Sequence, residues 1–99
     1  MAFGVTRHEL SQWKKQVKNN DIAFLTHYWL DDRFPGCTTV TKVGCGDIEK
    51  LATWGRKYHL QEEWIHMDDD YPHFDLFGER QKYILTKENK LNHISRFKL

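Results

Sequence analysis

The sequence predicts a small α+β domain in which helices pack on a three- to four-stranded sheet. Three observations support this class. The chain has 99 residues, the size of a single domain. Hydrophobic residues make up 39% of it and charged residues 29%, a balance typical of a globular domain and not of a disordered chain. Segments with helical periodicity alternate with short β-branched or aromatic segments, in the order α-β-β-α-β-(β)-α.

The first helix is predicted over residues 7–19. Thr6 and Glu9 form a Thr-x-x-Glu capping box, in which each side chain bonds the backbone N–H of the other residue. Asn19-Asn20 ends the helix, because asparagine tolerates the left-handed conformation found at helix ends. One apolar stripe of this helix should face the core, with members at Leu10, Trp13 and Val17.

Two strands are predicted next. Residues 22–29 form a short apolar and aromatic run, which favours a strand buried on at least one face. Residues 38–43 are mostly β-branched and predict a second strand. Residues 31–36 form the loop between them, since Pro35 and Gly36 interrupt any ladder of hydrogen bonds.

A second helix is predicted over residues 47–59, with Asp47 as its N-cap. Residues 63–67 are the candidate for the third strand. A strand, this helix and the third strand could form one right-handed crossover unit if the two strands are parallel. The sequence leaves parallel and antiparallel pairing open.

The rest of the chain begins with residues 73–76, which are a last short strand or an extended loop. A helix is then predicted from Gly78. We therefore expect one globular α+β domain over residues 1–88. Residues 89–99 form a basic, weakly periodic C-terminal tail in which fraying is expected.

The sequence also argues against some classes of protein. No apolar run approaches the roughly 18 residues of a membrane span, and the N-terminus lacks the basic start and apolar stretch of a secretion signal. Cys37 and Cys45 are too few for a disulfide scaffold, and their spacing differs from the Cys-x-x-Cys of redox and zinc sites. These features predict a cytoplasmic protein that binds no membrane.

The charge pattern suggests a weak nucleic-acid binder as one alternative function. Net charge is only +1, yet residues 1–20 carry a net +3 and residues 81–99 a net +4 around an acidic middle. Basic ends could contact phosphates, but the near-neutral total predicts weak binding at most. The residues concerned are Lys14, Lys15, Lys18, Lys90, Arg96 and Lys98. Solvated surface charge is the other interpretation.

Aromatic residues, 14% of the chain, support the leading functional hypothesis. The strand over residues 22–29 carries large aromatics on both faces near its end, so one of Tyr28 and Trp29 should lie near the surface. Such a corner can stack bases or anchor a protein partner. The sequence therefore predicts a non-enzymatic binding or interaction module with an unidentified protein partner. Its candidate residues are Trp29, Arg33, Phe34 and Trp64.

A set of His and Asp residues provides the main enzymatic alternative. In an extended segment His73 and Asp75 share one face, and imidazole with carboxylate is the ligand mix of zinc, manganese and iron sites. A divalent metal there would activate water, which predicts a metal-dependent, nuclease-like hydrolase. The candidate ligands are His27, Asp31, His66, His73 and Asp75. If these residues are structural instead, no cofactor is expected and Asp75 caps the helix from Gly78.

Five segments of the chain resemble a known group of small bacterial proteins. They are Met1–Leu10, Phe24–Trp29, Arg33–Pro35, Trp64–His66 and Pro72–Leu76. Together they are similar to the YneQ-like family of uncharacterised proteins from Bacillus and its relatives, over roughly residues 1–88. The resemblance implies a cytoplasmic bacterial protein of unknown function. It supplies no activity, ligand or catalytic residue, so whether the protein is an enzyme stays open.

Overall fold

The computed structural model describes residues 4–29, 33, 36–67 and 70–99. Within these residues the helices are α1 (Arg7–Lys18), α2 (Ile48–Arg56), α3 (Gly78–Lys87) and α4 (Leu91–Phe97). The strands are β1 (Ala23–Tyr28), β2 (Thr39–Gly44) and β3 (His73–Leu76), and a 3-10 turn covers Glu62–Trp64. The predicted α+β class is confirmed, and the described sheet has three strands.

The three strands form one antiparallel sheet in the order β1-β2-β3. Thr41, at the centre of the sheet, lies opposite Thr26 of β1 and Leu76 of β3. The right-handed crossover considered above is not formed, because β2 and β3 run antiparallel although α2 lies between them in sequence. An antiparallel pair needs no crossover helix. The segment with α2 therefore serves to cover one face of the sheet.

The strand predicted over residues 63–67 is wrong. Its first part belongs to the 3-10 turn, where the N–H groups of Trp64 and Ile65 donate to carbonyls three residues earlier, at 3.0 and 3.1 Å. These donors are no longer available to a strand ladder. Of the described residues in this segment, only His66 pairs with β3, through two backbone hydrogen bonds to His73. Trp64 is 42% exposed, so the segment lies at the edge of the sheet.

One face of the sheet is covered by α2, α3 and α4. Phe24 of β1 packs edge-on against Trp54 of α2, with 5.8 Å between ring centroids. Gly55 lets this helix approach β3, because a Cβ there would lie 2.8 Å from the Phe74 ring. The largest core cluster lies at this face, and its fully buried members include Val43, Leu51, Phe74, Leu76 and Ile84. Burial of each such side chain contributes about 1.5–3 kcal/mol.

Helix α1 covers one end of the opposite face. Trp13 and Val17 of this helix pack on Ala23 and Leu25 of β1. The indole Nε1 of Trp13 also donates to the carbonyl of Ala23 at 3.1 Å, so the buried ring keeps its polar atom paired. The other end of this face forms the floor of a cleft, described below.

The local signals that begin and end the first helices are confirmed. Thr6 and Glu9 make both bonds of the capping box, at 3.0 and 3.1 Å. Asn20 adopts the left-handed conformation after α1, with φ 62°. Asp47 accepts the backbone N–H of Lys50 at 3.2 Å and caps α2. These starts and stops follow from side-chain chemistry within a few residues.

The C-terminal segment differs from the frayed tail expected over residues 89–99. It contains α4, whose Phe97 is 7% exposed and packs on Tyr28 with 5.1 Å between ring centroids. Arg96 of the same helix forms an ion pair with Glu9 of α1. Because these anchors are a single aromatic and a charged residue, α4 leaves little hydrophobic periodicity in the sequence.

No helix among the described residues is long and apolar enough to span a membrane. The longest, α1, has 12 residues, and only part of its surface is apolar. A spanning helix needs roughly 20 predominantly apolar residues.

Candidate functional site

A cleft of about 680 Å³ lies on the second face of the sheet, beyond the end that α1 covers. Its aromatic residues are Trp29, Trp64, Phe74 and Phe77, and its cationic residues are Arg33, Lys42 and Arg80. Its other polar residues are His27, Glu63, His66 and Asp75, and its aliphatic residues are Val40, Leu60 and Ile65. Apolar walls with a few polar groups are typical of small-ligand sites.

The register of the sheet places three polar residues on the floor of the cleft. Lys42 of β2 lies opposite Asp75 of β3, and His27 of β1 lies opposite Val40 of β2. Residues two apart on a strand share a face, so His27, Lys42 and Asp75 project from the same side of the sheet. Lys42 belongs to the middle strand and therefore separates the imidazole of His27 from the carboxylate of Asp75.

Contacts between neighbouring elements hold the aromatic walls. The backbone N–H of Trp29 donates to Thr38 at 2.8 Å, which extends the β1–β2 pairing by one residue. The Trp29 ring packs on Phe77, with 5.6 Å between centroids. On the other wall, the guanidinium of Arg80 lies over the Trp64 ring, 5.2 Å from its centroid. This cation–π contact joins the first turn of α3 to the 3-10 turn.

Three of the four residues predicted for the binding corner line this cleft. They are Trp29, Arg33 and Trp64. The fourth, Phe34, lies outside the described residues. Trp29 follows β1 while Trp64 belongs to the 3-10 turn, so it is the folded chain that brings the two indoles to one site.

His27 is a buried polar residue of the cleft, with 4% of its surface exposed. Its Nδ1 lies 2.8 Å from the carbonyl oxygen of Tyr28, and a carbonyl only accepts, so Nδ1 carries the hydrogen. Burial, reinforced by the positive charge of Lys42, lowers the pKa of His27. The ring is therefore neutral at pH 7, and its Nε2 presents a lone pair. Nε2 is buried and has no hydrogen-bond partner among the described residues.

His66, His73 and Asp75 form a cluster at the β3 side of the cleft. His66 Nε2 lies 3.1 Å from Asp75 Oδ2, and the two imidazole rings stack with 5.3 Å between centroids. His73 turns its Nδ1 to the carbonyl of Tyr71 at 2.9 Å, which leaves its Nε2 3.6 Å from Asp75 Oδ1. That distance is too long for a hydrogen bond. The buried Oδ1 thus has no hydrogen-bond partner within the described part of the chain.

The alternative role predicted for Asp75, a cap for the helix from Gly78, is wrong. The N-cap of α3 is Phe77, and no side chain bonds to the backbone at that position. Asp75 lies instead within β3, opposite Lys42. Strand alternation turns its carboxylate toward the cleft, away from the start of α3.

The predicted metal ligands are only partly brought together. His66, His73 and Asp75 are in contact. His27 lies on the far strand, β1, and Asp31 lies outside the described residues. The rings of His66 and His73 stack and are only 17° from parallel. Among the described residues, no three His, Cys, Asp or Glu side chains are arranged to hold a metal ion. A metal site stays a prediction.

Several of the basic residues predicted to bind nucleic acid have local partners. Lys14 and Lys18 lie over the ring of Tyr71, at 5.3 and 5.6 Å from its centroid. Arg96 is ion-paired with Glu9. Lys90 lies over the ring of Phe24, 5.0 Å from its centroid. The remaining two are Lys15 and Lys98. Nucleic-acid binding also stays a prediction.

Sequence reasoning missed five polar or aromatic residues that line the cleft. They are Lys42, Glu63, Phe74, Phe77 and Arg80. A signal for Lys42 was present, since one lysine within a β-branched strand marks the face that is not core. Glu63, Phe77 and Arg80 carried no local signal, because their position depends on how α3 and the 3-10 turn pack beside the sheet.

Comparison with known proteins gives one result about the family of the chain. No protein-family model matches it, and no solved structure matches it. The chain is 63% identical to the uncharacterised protein YneQ of Bacillus subtilis (strain 168) over 99 residues, which is the full length of both proteins. The five segments singled out in the sequence pointed to the same group. The chain therefore belongs to the YneQ family of Bacillus-type proteins.

Proposed function

We propose that the protein is a non-enzymatic binding module and that the cleft is its binding site. The observation that carries this proposal is the convergence of Trp29, Arg33 and Trp64 on one cleft from separate parts of the chain. The cleft volume of about 680 Å³ lies within the range of small-ligand sites. The aromatic walls supply contact area, and the polar floor supplies orientation.

The lining favours binding over nucleophilic catalysis. The described lining residues include no serine, threonine or cysteine that could serve as a hydroxyl or thiol nucleophile. His27 donates its Nδ1 hydrogen to a main-chain carbonyl, so it lacks the carboxylate partner of a catalytic triad. Binding requires only the groups already present at the cleft.

Preformed walls support this role further. Trp64 is held by Arg80, and Trp29 is held by Phe77 and by its backbone bond to Thr38. Side chains that are ordered before a ligand arrives lose less conformational entropy on binding. A site of this kind binds more tightly than an equal area of mobile surface.

A cytoplasmic location accompanies the proposal. Cys37 and Cys45 are both free thiols. Reducing compartments keep thiols in this form, whereas secreted small domains commonly use disulfides. The free thiols support the cytoplasmic location predicted from the sequence.

The tryptophan side chains provide a direct test. Each indole N–H gives its own NMR signal in protein labelled with nitrogen-15. Trp29 and Trp64 line the cleft, whereas Trp13 and Trp54 are buried elsewhere and donate to protein acceptors. The second pair is therefore an internal control. Suitable probes are adenosine, adenosine monophosphate, methyl glucopyranoside, benzoate and benzylamine, which differ in charge and shape.

We expect at least one probe to shift the Trp29 and Trp64 signals to saturation while the control indoles stay in place. Trp64→Ala should abolish that binding. Tyr83→Ala, which removes a 56% exposed ring from α3 outside the described cleft lining, should retain it. A panel without any saturable shift, or shifts that Trp64→Ala leaves unchanged, would refute the cleft as a binding site.

A further inference from the structure

The cleft contains two buried hydrogen-bond acceptors that the described residues leave unpaired. They are the Nε2 of His27 and the Oδ1 of Asp75. Native proteins pair nearly all buried polar atoms, so each exception needs a physical explanation. A neutral imidazole nitrogen and a carboxylate oxygen both require an N–H or O–H donor. Both atoms are buried and belong to residues that line the cleft, so a group seated in the cleft can supply that donor.

Donors and acceptors alternate across the floor. Lys42, which has only donor hydrogens, stands on the strand between His27 and Asp75. A ligand group that reaches this floor therefore meets an acceptor and a donor side by side. A hydroxyl group can donate to the first and accept from the second, which neither an ammonium nor a carboxylate can do.

Among the described residues that line the cleft, the charges are nearly balanced. The cations are Arg33, Lys42 and Arg80, and the acids are Glu63 and Asp75. His27 adds no charge because its ring is neutral. A strongly anionic or cationic ligand would bring its charge close to a group of the same sign, which lowers its affinity. The lining therefore favours a neutral ligand.

The walls favour a ligand with a flat or apolar ring face. Trp29 and Trp64 present indole rings, and Phe77 backs the first of them. Aromatic side chains stack on bases and cover the apolar faces of other rings at low entropic cost. Ring stacking and hydroxyl bonding can occur together, since walls and floor belong to the same cleft.

We infer that the ligand is a neutral molecule that combines a ring face with neighbouring hydroxyl groups, as a nucleoside or a pyranoside does. The ring lies against the aromatic walls. The hydroxyl groups donate to His27 Nε2 and Asp75 Oδ1 and accept from Lys42. This inference rests on the proposed binding function, for which it names the chemical class of ligand.

The ligand series that tests this inference changes one group at a time. Adenosine and methyl glucopyranoside represent the two sources of the shared chemistry, and 2′-deoxyadenosine and methyl 2-deoxyglucoside each lack one hydroxyl. Adenosine monophosphate, benzoate and benzylamine carry a charge. We expect adenosine or the glucoside to bind at least about tenfold more tightly than its deoxy analogue and than the charged probes, because unpaired buried groups penalise a ligand without the hydroxyl.

Protein variants test the same hydrogen bonds by changing the side chains of the cleft instead of the ligand. His27→Leu removes the lone pair and should weaken binding of the preferred ligand at least about tenfold, whereas His27→Gln keeps an acceptor and should recover part of the affinity. Lys42→Met removes the donor but keeps the apolar stem, and it serves as a second variant if His27→Leu fails to fold. Tyr83→Ala is the matched control with unchanged affinity.

The outcomes separate this inference from the function on which it rests. If benzoate or benzylamine shifts the Trp29 and Trp64 signals while adenosine and the glucoside do not, the ligand class is wrong and the binding module stands. Equal affinity for parent and deoxy compounds, or unchanged affinity in His27→Leu and Lys42→Met, also overturns the class. If no probe shifts the Trp29 and Trp64 signals, both the ligand class and the binding function are wrong.

Discussion

Polar groups on the two faces of the sheet differ in how far the fold pairs them. On the face covered by helices, five side chains form a continuous hydrogen-bonded chain with spacings from 2.6 to 3.2 Å. In order they are Thr39, Gln81, Thr41, Thr26 and His93. On the cleft face, His27 Nε2 and Asp75 Oδ1 have no hydrogen-bond partner within the described residues.

The first two bonds of the chain have a fixed direction. Thr39 donates to Gln81 Oε1, and the amide nitrogen of Gln81 donates to Thr41. Beyond Thr41, the hydroxyl of Thr26 lies 2.6 Å from that of Thr41 and 2.9 Å from Nδ1 of His93, so it bonds to both. Burial lowers the pKa of His93, which favours the neutral ring at the end of the chain.

The difference between the two faces shows how to distinguish polar side chains that stabilise the fold from polar side chains that a ligand could bind. Where polar side chains only build the fold, neighbouring residues supply a partner for every buried atom. At the proposed binding cleft, the fold orients His27 and Asp75 but leaves one buried polar atom of each unpaired among the described residues.

Gln81→Leu should cause the largest loss of stability. Leucine has a similar size but removes both bonds of the amide, so Thr39 and Thr41 each lose one hydrogen bond. We expect the free energy of unfolding to fall by about 3 kcal/mol, measured by urea denaturation. Lys82→Leu, at an exposed position of the same helix, is the control and should change it by less than about 0.5 kcal/mol. A loss under about 1 kcal/mol for Gln81→Leu would contradict the contrast.

Acid should destabilise the protein through its buried histidines. Burial lowers the pKa of His93 and of His27 below the ordinary value of 6.5. Between pH 6.5 and the lowered values, the unfolded chain binds more protons than the folded one. Stability therefore falls as pH falls through this window, by at most about 1.4 kcal/mol per pH unit for each histidine.

Urea denaturation at intervals from about pH 7.5 to about pH 5 measures this dependence. His93→Gln should flatten the slope, because the variant removes one of the two buried imidazoles. His8→Gln, at an exposed position of α1, is the control. An unchanged slope in His93→Gln would show that the burial of His93 does not contribute to the loss of stability in acid.

Adding metal ions tests whether the unpaired Oδ1 of Asp75, in the cluster with His66 and His73, binds a metal instead of a ligand hydroxyl. We expect zinc and manganese to leave the melting temperature unchanged. Asp75→Ala should lower the free energy of unfolding by about 1 kcal/mol, because it removes the partly exposed contact with His66. A melting temperature that rises with metal, returns with chelator and loses its rise in His73→Ala would support the hydrolase hypothesis.

His27→Leu should have the smallest effect on stability. The substitution removes an unpaired acceptor, and the carbonyl of Tyr28 that loses its donor belongs to an exposed residue at the end of β1. We expect the free energy of unfolding to change by less than about 0.5 kcal/mol in the same urea experiment. A loss as large as that of Gln81→Leu would mean that Nε2 is paired in solution and that the two faces do not differ.

Local structure could be predicted where short-range chemistry decides it. The capping box of Thr6 and Glu9 and the left-handed Asn20 involve residues within one turn of each other. The strand over residues 63–67 failed, because a 3-10 turn used its N–H groups before a neighbouring strand could. Helix α4 was missed since its anchors, including Arg96, act through partners far away in sequence.

For the candidate site, too, the sequence predicted some features and the tertiary structure decided others. Residue type alone singled out Trp29, Trp64 and the histidines as groups with surface to stack on or lone pairs to offer. Whether they meet depends on the antiparallel register that places His27 and Asp75 on one face, and on the packing that joins Arg80 to Trp64. The spacing of these residues along the sequence does not predict these contacts.

By itself, the sequence determined the α+β class, the starts of the first two helices and the family to which the chain belongs. These depend on composition, on side-chain chemistry within a few residues and on likeness of the chain to a relative. The tertiary structure alone decided the sheet order, the docking of α4 and which buried polar atoms remain unpaired. The physical reason is that pairing and burial are set by contacts between segments far apart in the chain, and such contacts leave no period and no local motif.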